Sequence, residues 1–288
     1  MIDLVDIDAI FEARLRKYME EHAGEYSEDA WEEKIAELYE AFGSERLAEL
    51  GGKSPEKYYA GEDGAALVGL LARHVREGVA VSDYLCEAIM DADGAEEPLI
   101  SLLGEAEEEP LISLLGEVEE ELVFYAMNLL KDMGSVKPLG QYLDFLLDPS
   151  VGRDRKELCT EILCEYPERV KESILEKYEG ASEEDRSSLL DILSHAQKDD
   201  RILRLLTDAL LSHAEEIPLY AAFVRRYGDE KALTALYELI EREEINYQDF
   251  QELKLAIESL GGEYEKERDF SNDKVYRKIM EQKKGMKS

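Results

Sequence analysis

Four histidines, three cysteines and a large excess of carboxylates are the residues of this chain whose types could carry chemistry. A metal centre needs imidazole, thiolate or carboxylate ligands at fixed spacing, and a nucleophilic site needs a thiol or hydroxyl beside a base. His22, His74, His195 and His213 are scattered, and none has a second ligand at metal spacing. Leu-Ser-His-Ala occurs at 193–196 and again at 211–214, which reads as two helix ends where an imidazole matches the C-terminal dipole. Cys86, Cys159 and Cys164 contain no C-x-x-C, and the i,i+5 step from Cys159 to Cys164 points the two thiols to different sides of a helix. Three reduced thiols in a cytoplasmic chain are expected. Asp91-Ala92-Asp93-Gly94 imitates a calcium loop. With Gly94 at the turn, however, the first and last ligands would be Ile89 and Ile100, which excludes an EF-hand. Carboxylate pairs are everywhere, so two neighbouring acids mark no general acid–base couple. No phosphate-cradling glycine loop, G-x-S-x-G motif or cysteine–histidine nucleophile context occurs. The residues therefore predict no catalytic group, no metal ligand and no cofactor.

Charge is the more specific signal. Among 288 residues, 68 acids face 34 Lys and Arg, a formal net charge of −34. Such a surface repels polyanions and excludes nucleic acid as a general partner. Residues 77–130 hold 15 acids and no Lys or Arg across 54 positions. Glu107, Glu108, Glu109, Glu119, Glu120 and Glu121 are the candidate contact residues there, since a surface of this sign steers a basic protein or peptide segment toward it. Residues 271–288 carry six basic residues against Asp273 and Glu281. This basic tail either folds back on the acidic body or stays disordered. No stretch approaches 18 consecutive apolar residues, and the start MIDLVDID is acidic where a signal peptide is basic, so neither a membrane nor export is expected. Nothing in the sequence sets the oligomeric state.

The elements that must position any such surface are helices. Leucine occurs 40 times and threonine three times, a bias that suits helices and starves strands of β-branched residues. An all-α chain is predicted. Ile7, Ile10, Phe11, Tyr18 and Met19 form one stripe over 6–22, and Ser27 caps a segment carrying Trp31, Ile35, Leu38 and Phe42. Ser54-Pro55 reads as an N-cap with proline at the first helical position, and 63–77 with 82–91 form a pair bridged by Gly78.

From about residue 135 a unit of some thirty residues recurs. GSVKPLGQYLDFLL at 134–147 aligns with GDEKALTALYELIE at 228–241, with weaker copies between. The leading apolar residues Leu139, Val170, Leu203 and Leu233 are 31, 33 and 30 residues apart. A second series, Leu158, Leu189, Leu219 and Phe250, is spaced by 31, 30 and 31. A two-helix hairpin cannot bury its apolar face alone, so stacked hairpins sharing one core are predicted.

The opening Gly228-Asp229 and the Leu233/Leu236/Tyr237/Ile240 helix resemble a bacterial HEAT-type repeat, as does the 134–166 unit with Pro138 and Asp148-Pro149. The resemblance covers roughly 96–262 and is weak over the first 60 residues; the W-x-x-L-G-x-x-Y opening of tetratricopeptide repeats is missing. It implies a right-handed α-α superhelix, a solenoid of HEAT-like or armadillo-like hairpins. Its extent would be an irregular helical cap at 1–60, the repeats at 61–262, and a C-terminal helix with basic tail at 263–288. Some members of this family are iron-dependent hydroxylases with His-Glu ligands, a dipeptide absent here, and others remove alkylated bases from DNA in a basic groove, opposite in sign to this chain. The expected function is a non-enzymatic cytoplasmic scaffold that binds a basic protein or peptide. Competing readings are an enzyme or lyase-like maturation factor with a small-molecule pocket in the superhelix, and a DNA-mimic inhibitor with carboxylates in phosphate-like array.

EEPLISLLGEAE at 96–107 is repeated at once as EEPLISLLGEVE at 108–119. Twelve residues rotate a helix by roughly 120° beyond full turns, so one continuous helix would send the two apolar clusters to different faces. Pro98, Gly104, Pro110 and Gly116 also argue against continuity, and two short helices in succession, each starting at its proline, are expected.

Overall fold

Every regular element is a helix in the computed structural model, which describes residues 2–105 and 113–285; among these no strand occurs. The chain is all-α. It divides into two compact units, Met1–Ser135 and Val136–Ser288, a boundary inside the span that the repeats alone would group together.

The first unit contains α1 (Ile7–Glu21), α2 (Glu28–Ser44), the single turn α3 (Pro55–Tyr58), α4 (Gly64–Glu77), α5 (Asp83–Asp91), α6 (Glu96–Glu105) and α7 (Ser113–Asp132). Side-chain caps set several starts: Asp6 accepts from the Ala9 N–H at 2.8 Å, Ser27 from Ala30 at 3.4 Å and Asp63 from Ala66 at 3.0 Å. Gly78 ends α4 in the left-handed region (φ 68°), which glycine enters without a Cβ penalty. The α1 stripe is realised only in part. Ile7 is buried and Phe11 packs on Tyr39 and Phe42, but Met19 stays 38 % exposed. The core of the unit is built by α4, α5, α6 and α7 through residues such as Leu71, Leu85, Leu103 and Leu130.

The duplicated segment departs from expectation. Its first copy is helical from Glu96, two residues before Pro98, because proline is tolerated in a first turn whose N–H groups have no partners. The second copy runs from Ser113 straight into α7, and Pro110 lies outside the described residues. Gly104 is the next-to-last residue of α6, and Gly116 lies inside α7.

The second unit contains α8 (Leu139–Leu147), α9 (Arg153–Glu165), α10 (Pro167–Lys177), α11 (Glu183–Leu193), α12 (Asp200–Ser212), α13 (Ile217–Tyr227), α14 (Leu233–Ile240), α15 (Tyr247–Ser259) and α16 (Lys274–Gly285). The helices α8 to α15 are four successive hairpins, and each packs on its own partner. Equivalent helices of adjacent hairpins also meet: α8 with α10, α9 with α11, α12 with α14 and α13 with α15. The repeat is visible in burial, since residues 201–210 and 231–240 follow the same order of buried, half-buried and exposed positions.

Not every leading residue is the deepest one. Leu139, Val170, Leu189 and Phe250 are buried, but Leu158, Leu203 and Leu233 are half-buried and Leu219 is 39 % exposed. In α13 the apolar run offers a choice of stripe, and the buried face is made by Ile217, Tyr220, Ala221 and Val224 instead. The spacing is right and the phase is shifted.

Ion pairs recur at the same interval as the leucines. Lys177 reaches Asp144 (2.7 Å), Lys156 reaches Asp185 (2.8 Å), Arg201 reaches Glu172 (2.8 Å) and Lys231 reaches Asp200 (2.7 Å). The partners are 33, 29, 29 and 31 residues apart, so each pair bridges neighbouring hairpins. The exposed pairs contribute little individually, about 0–1 kcal/mol at a surface, whereas Lys156–Asp185 is largely buried. Beyond α15, Arg268 donates to the carbonyls of Ile240 (2.9 Å) and Arg242 (2.7 Å), satisfying acceptors at the end of α14. The basic helix α16 packs on α15, with Tyr276 against Tyr247.

One bridge gives a pH prediction. Asp199 caps α12, and its carboxyl is held down to about 2 by the Arg201 guanidinium and by the Arg201 N–H. Arg201 also forks onto Glu172 of α10. The folded state favours the charged form, so this contribution is complete above the ordinary aspartate value of 3.8 and is lost as pH falls through about 2. Asp199→Asn keeps a good cap but removes the charge. It is expected to lower Tm at pH 7 by no more than about 3 °C, because the pair faces solvent. Thermal melts from pH 7 to 2 should show a shallower acid decline in the variant than in the parent.

Candidate functional site

Three of the six acids singled out by sequence, Glu119, Glu120 and Glu121, lie among the described residues, on α7. Glu107, Glu108 and Glu109 lie outside the described residues. Glu119 is forked by Arg76, Nε to Oε1 at 2.9 Å and Nη2 to Oε2 at 3.1 Å, so its charge is already met. Arg76 stands one residue outside the Lys/Arg-free window and reaches in from α4 across 43 residues of sequence. Glu120 is half-buried and Glu121 exposed on α7.

Carboxylates converge instead in the second unit. A groove of about 670 Å³ runs past the first turns of α9, α11 and the segment entering α13. Glu157, Glu183, Glu184, Asp185, Glu215 and Glu216 line it, together with Arg153, Lys156 and Tyr220. Glu183, Glu184 and Asp185 fall in the first turn of α11, where a carboxylate is favoured by the unsatisfied N–H groups and the positive end of the helix dipole. Ser182 caps α11, accepting from the Asp185 N–H at 3.1 Å and donating to its carboxylate at 2.7 Å. The two cations in the groove are committed, Arg153 to Glu157 at 2.8 Å and Lys156 to Asp185 at 2.8 Å. Among the described residues no cation pairs with Glu184, Glu215 or Glu216. Glu183 meets His213 Nε2 at 3.3 Å. A smaller cavity of about 420 Å³ shares Glu183 and Tyr220 and continues toward Arg186 and Asp208.

A second polar cluster forms where the C-terminal ends of α9 and α11 meet α13. Cys164, Asp191 and His195 bring one ligand atom each to within 4.8 Å of one another. His195 Nε2 lies 4.0 Å from Asp191 Oδ1. Arg226 reaches in from α13: its Nη1 pairs with Asp191, donates to Ser194 Oγ at 2.9 Å and lies 3.0 Å from His195 Nε2. Burial pushes the Cys164 thiol up to about 12, with Asp191 adding to the effect. The thiol is protonated near neutrality and is not an activated nucleophile. Burial and the Arg226 charge hold His195 below its usual value, which keeps the imidazole neutral.

This cluster corrects the expectation that no histidine has a second ligand at metal spacing. Asp191 and His195 are four residues apart on one helical face, and Cys164 is supplied by the equivalent helix of the preceding hairpin. The i,i+4 pair was visible in sequence, but its third member required the hairpin register. The other histidines lie outside this cluster. His22 stacks on Tyr18, the buried His74 bonds the Ala80 carbonyl through Nδ1 at 2.8 Å, and His213 bonds Ala209 O through Nδ1 at 2.9 Å. Tyr142 and Tyr220 are buried, and the half-buried Tyr237 donates its hydroxyl to the Glu263 carbonyl. All three cysteines are unpaired, and no helix among the described residues is long and apolar enough to cross a membrane.

Comparison of this chain with models of known protein families, with curated proteins and with solved structures finds no match.

Proposed function

We propose that the second unit is a HEAT-like scaffold, its hairpins stacked as turns of an α-α superhelix, and that its acidic groove holds a Lys/Arg-rich segment of another protein. The observation that carries this reading is the groove at the starts of α9, α11 and α13. Six carboxylates line it, its two cations are already paired within it, and Glu184, Glu215 and Glu216 are left facing the cavity. A basic side chain entering there replaces water around charges that the protein itself does not neutralise, which supports attraction at long range and charge-assisted hydrogen bonds on contact. Binding of this kind needs no cofactor and no catalytic group, and three unpaired thiols fit a reducing compartment such as the cytoplasm.

The test is fluorescence anisotropy of a labelled Lys/Arg-rich peptide. Expected is a Kd that weakens by at least about tenfold between low salt and about 0.5 M salt, as screening of exposed charge requires. The variant Glu184→Lys/Glu215→Lys/Glu216→Lys should weaken binding at low salt by about 100-fold. Glu120→Lys/Glu121→Lys is a control of the opposite kind, changing charge on α7 and leaving affinity within about threefold. Equal loss in both variants would assign binding to net charge and remove the groove from the account.

A further inference from the structure

We infer that Cys164, Asp191 and His195 form a three-ligand site for a thiophilic divalent cation of the zinc type, and that Arg226 fills it with its own positive charge when no metal is bound. The argument begins with what Arg226 touches. A guanidinium has donors and no acceptor, so at 3.0 Å from Arg226 Nη1 the Nε2 of His195 is best placed as a lone-pair-bearing nitrogen facing a positive group. The same Nη1 pairs with Asp191 and lies 2.9 Å from Ser194 Oγ. Two of the three ligand atoms thus face a single cationic atom, and the Cys164 sulfur lies within 4.8 Å of both of them.

The donor set has the chemistry for such an ion. An imidazole nitrogen, a carboxylate oxygen and a sulfur together favour zinc and its neighbours over magnesium or calcium, which prefer oxygen alone. The ligand atoms lie within 4.8 Å of one another, whereas tetrahedral coordination at zinc bond lengths places them about 3.5 Å apart. Closing that gap takes about 1 Å of side-chain movement once Nη1 withdraws, which rotamer freedom supplies for half-exposed groups. Asp191 and His195 are already on one helical face at i,i+4, and Cys164 approaches from α9. On binding, the Cys164 S–H bond gives its proton to solvent and the sulfur becomes the metal-bound thiolate. Arg226 is 38 % exposed in its side chain and stacks over Phe223, so it has a route outward. Water completes the fourth position. An isolated Arg226–Asp191 bridge between α11 and α13 would need neither an imidazole beside the guanidinium nor a thiol within 4.8 Å of the carboxylate.

The test uses the full chain, reduced and metal-free, titrated with Co²⁺ as a spectroscopic stand-in for zinc. A surface this acidic binds divalent ions loosely, so the informative readout is the thiolate-to-cobalt charge-transfer absorption and not the bound amount alone. Expected is that absorption at one equivalent, displaced by Zn²⁺, absent in Cys164→Ser and weakened at least about tenfold in His195→Gln. Arg226→Gln removes the competing cation and should tighten cobalt binding by about tenfold. Cys159→Ala, which spares the cluster, should leave the absorption intact. Circular dichroism of each variant separates loss of the site from loss of the fold. No charge-transfer absorption in the parent or in a folded Arg226→Gln, or absorption that survives in Cys164→Ser, would reduce the cluster to an inter-helix ion pair. Either result leaves the peptide-binding groove untouched, because that proposal uses none of these residues.

Discussion

Replacing Gly64 with alanine is expected to destabilise the first unit by about 3 kcal/mol, while Gly69→Ala in the same helix is expected to stabilise it by roughly 0.5–1 kcal/mol. Both glycines lie in α4, and helix propensity alone favours alanine at each. Space decides the sign. A Cβ on Gly64 would stand 2.3 Å from the Ala95 backbone nitrogen and 2.7 Å from its Cα, at the point where α4 passes the start of α6. The Gly64 N–H also donates to the Asp93 carbonyl at 3.2 Å, so the two segments are held against each other and backbone must move. At Gly69 a Cβ meets nothing within 4 Å. Trp31, the one tryptophan of the chain, lies in α2 of this unit, so urea unfolding followed by its fluorescence reads both variants directly. A Gly64→Ala protein as stable as its parent would show that α4 and α6 separate without cost.

The second large effect tests the repeat itself. Leu206 and Leu236 occupy the same place in successive hairpins, each no more than 1 % exposed within the same surrounding burial pattern. Truncation of a buried leucine loses its transfer free energy and leaves a cavity, typically costing 2–5 kcal/mol. Leu206→Ala and Leu236→Ala should each fall in that range, and within about 1 kcal/mol of one another if the two hairpins are physical equivalents. Leu219→Ala, at a side chain 39 % exposed, should cost less than about 1 kcal/mol. Chemical denaturation monitored by circular dichroism gives all three values. A Leu219 variant as damaged as the other two would mean that the phase of α13 is the one first read from sequence.

The contrast between Leu206 and Leu219 also shows what the sequence discloses and what it withholds. Apolar periodicity reports which side of a helix is greasy, and it found the hairpin pairs and their spacing from residue 134 onward. It does not fix the phase where an apolar run is long, as in Ile217–Val224, because more than one stripe then satisfies the pattern. The caps at Ser27 and Gly78 were legible since a cap is local chemistry. The groove was not. Its acids come from three helix starts about one repeat apart, at Glu157, Glu183 and Glu215, and none belongs to a dense run like the one at 77–130. Counting charge along the chain pointed to the dense run, where Arg76 neutralises Glu119 from outside the window. The Cys164/Asp191/His195 cluster was hidden for the same reason, because helix-to-helix register brings its members together.

The measurement that bears most directly on the proposed function is hydrogen exchange with and without a saturating Lys/Arg-rich peptide. Slower exchange is expected in the opening turns of α9 and α11 and across residues 213–220, where Glu157, Glu183, Glu184, Glu215 and Glu216 face the groove. Slowing confined to α7 or to α16, with those turns unchanged, would place the bound peptide elsewhere and contradict the account.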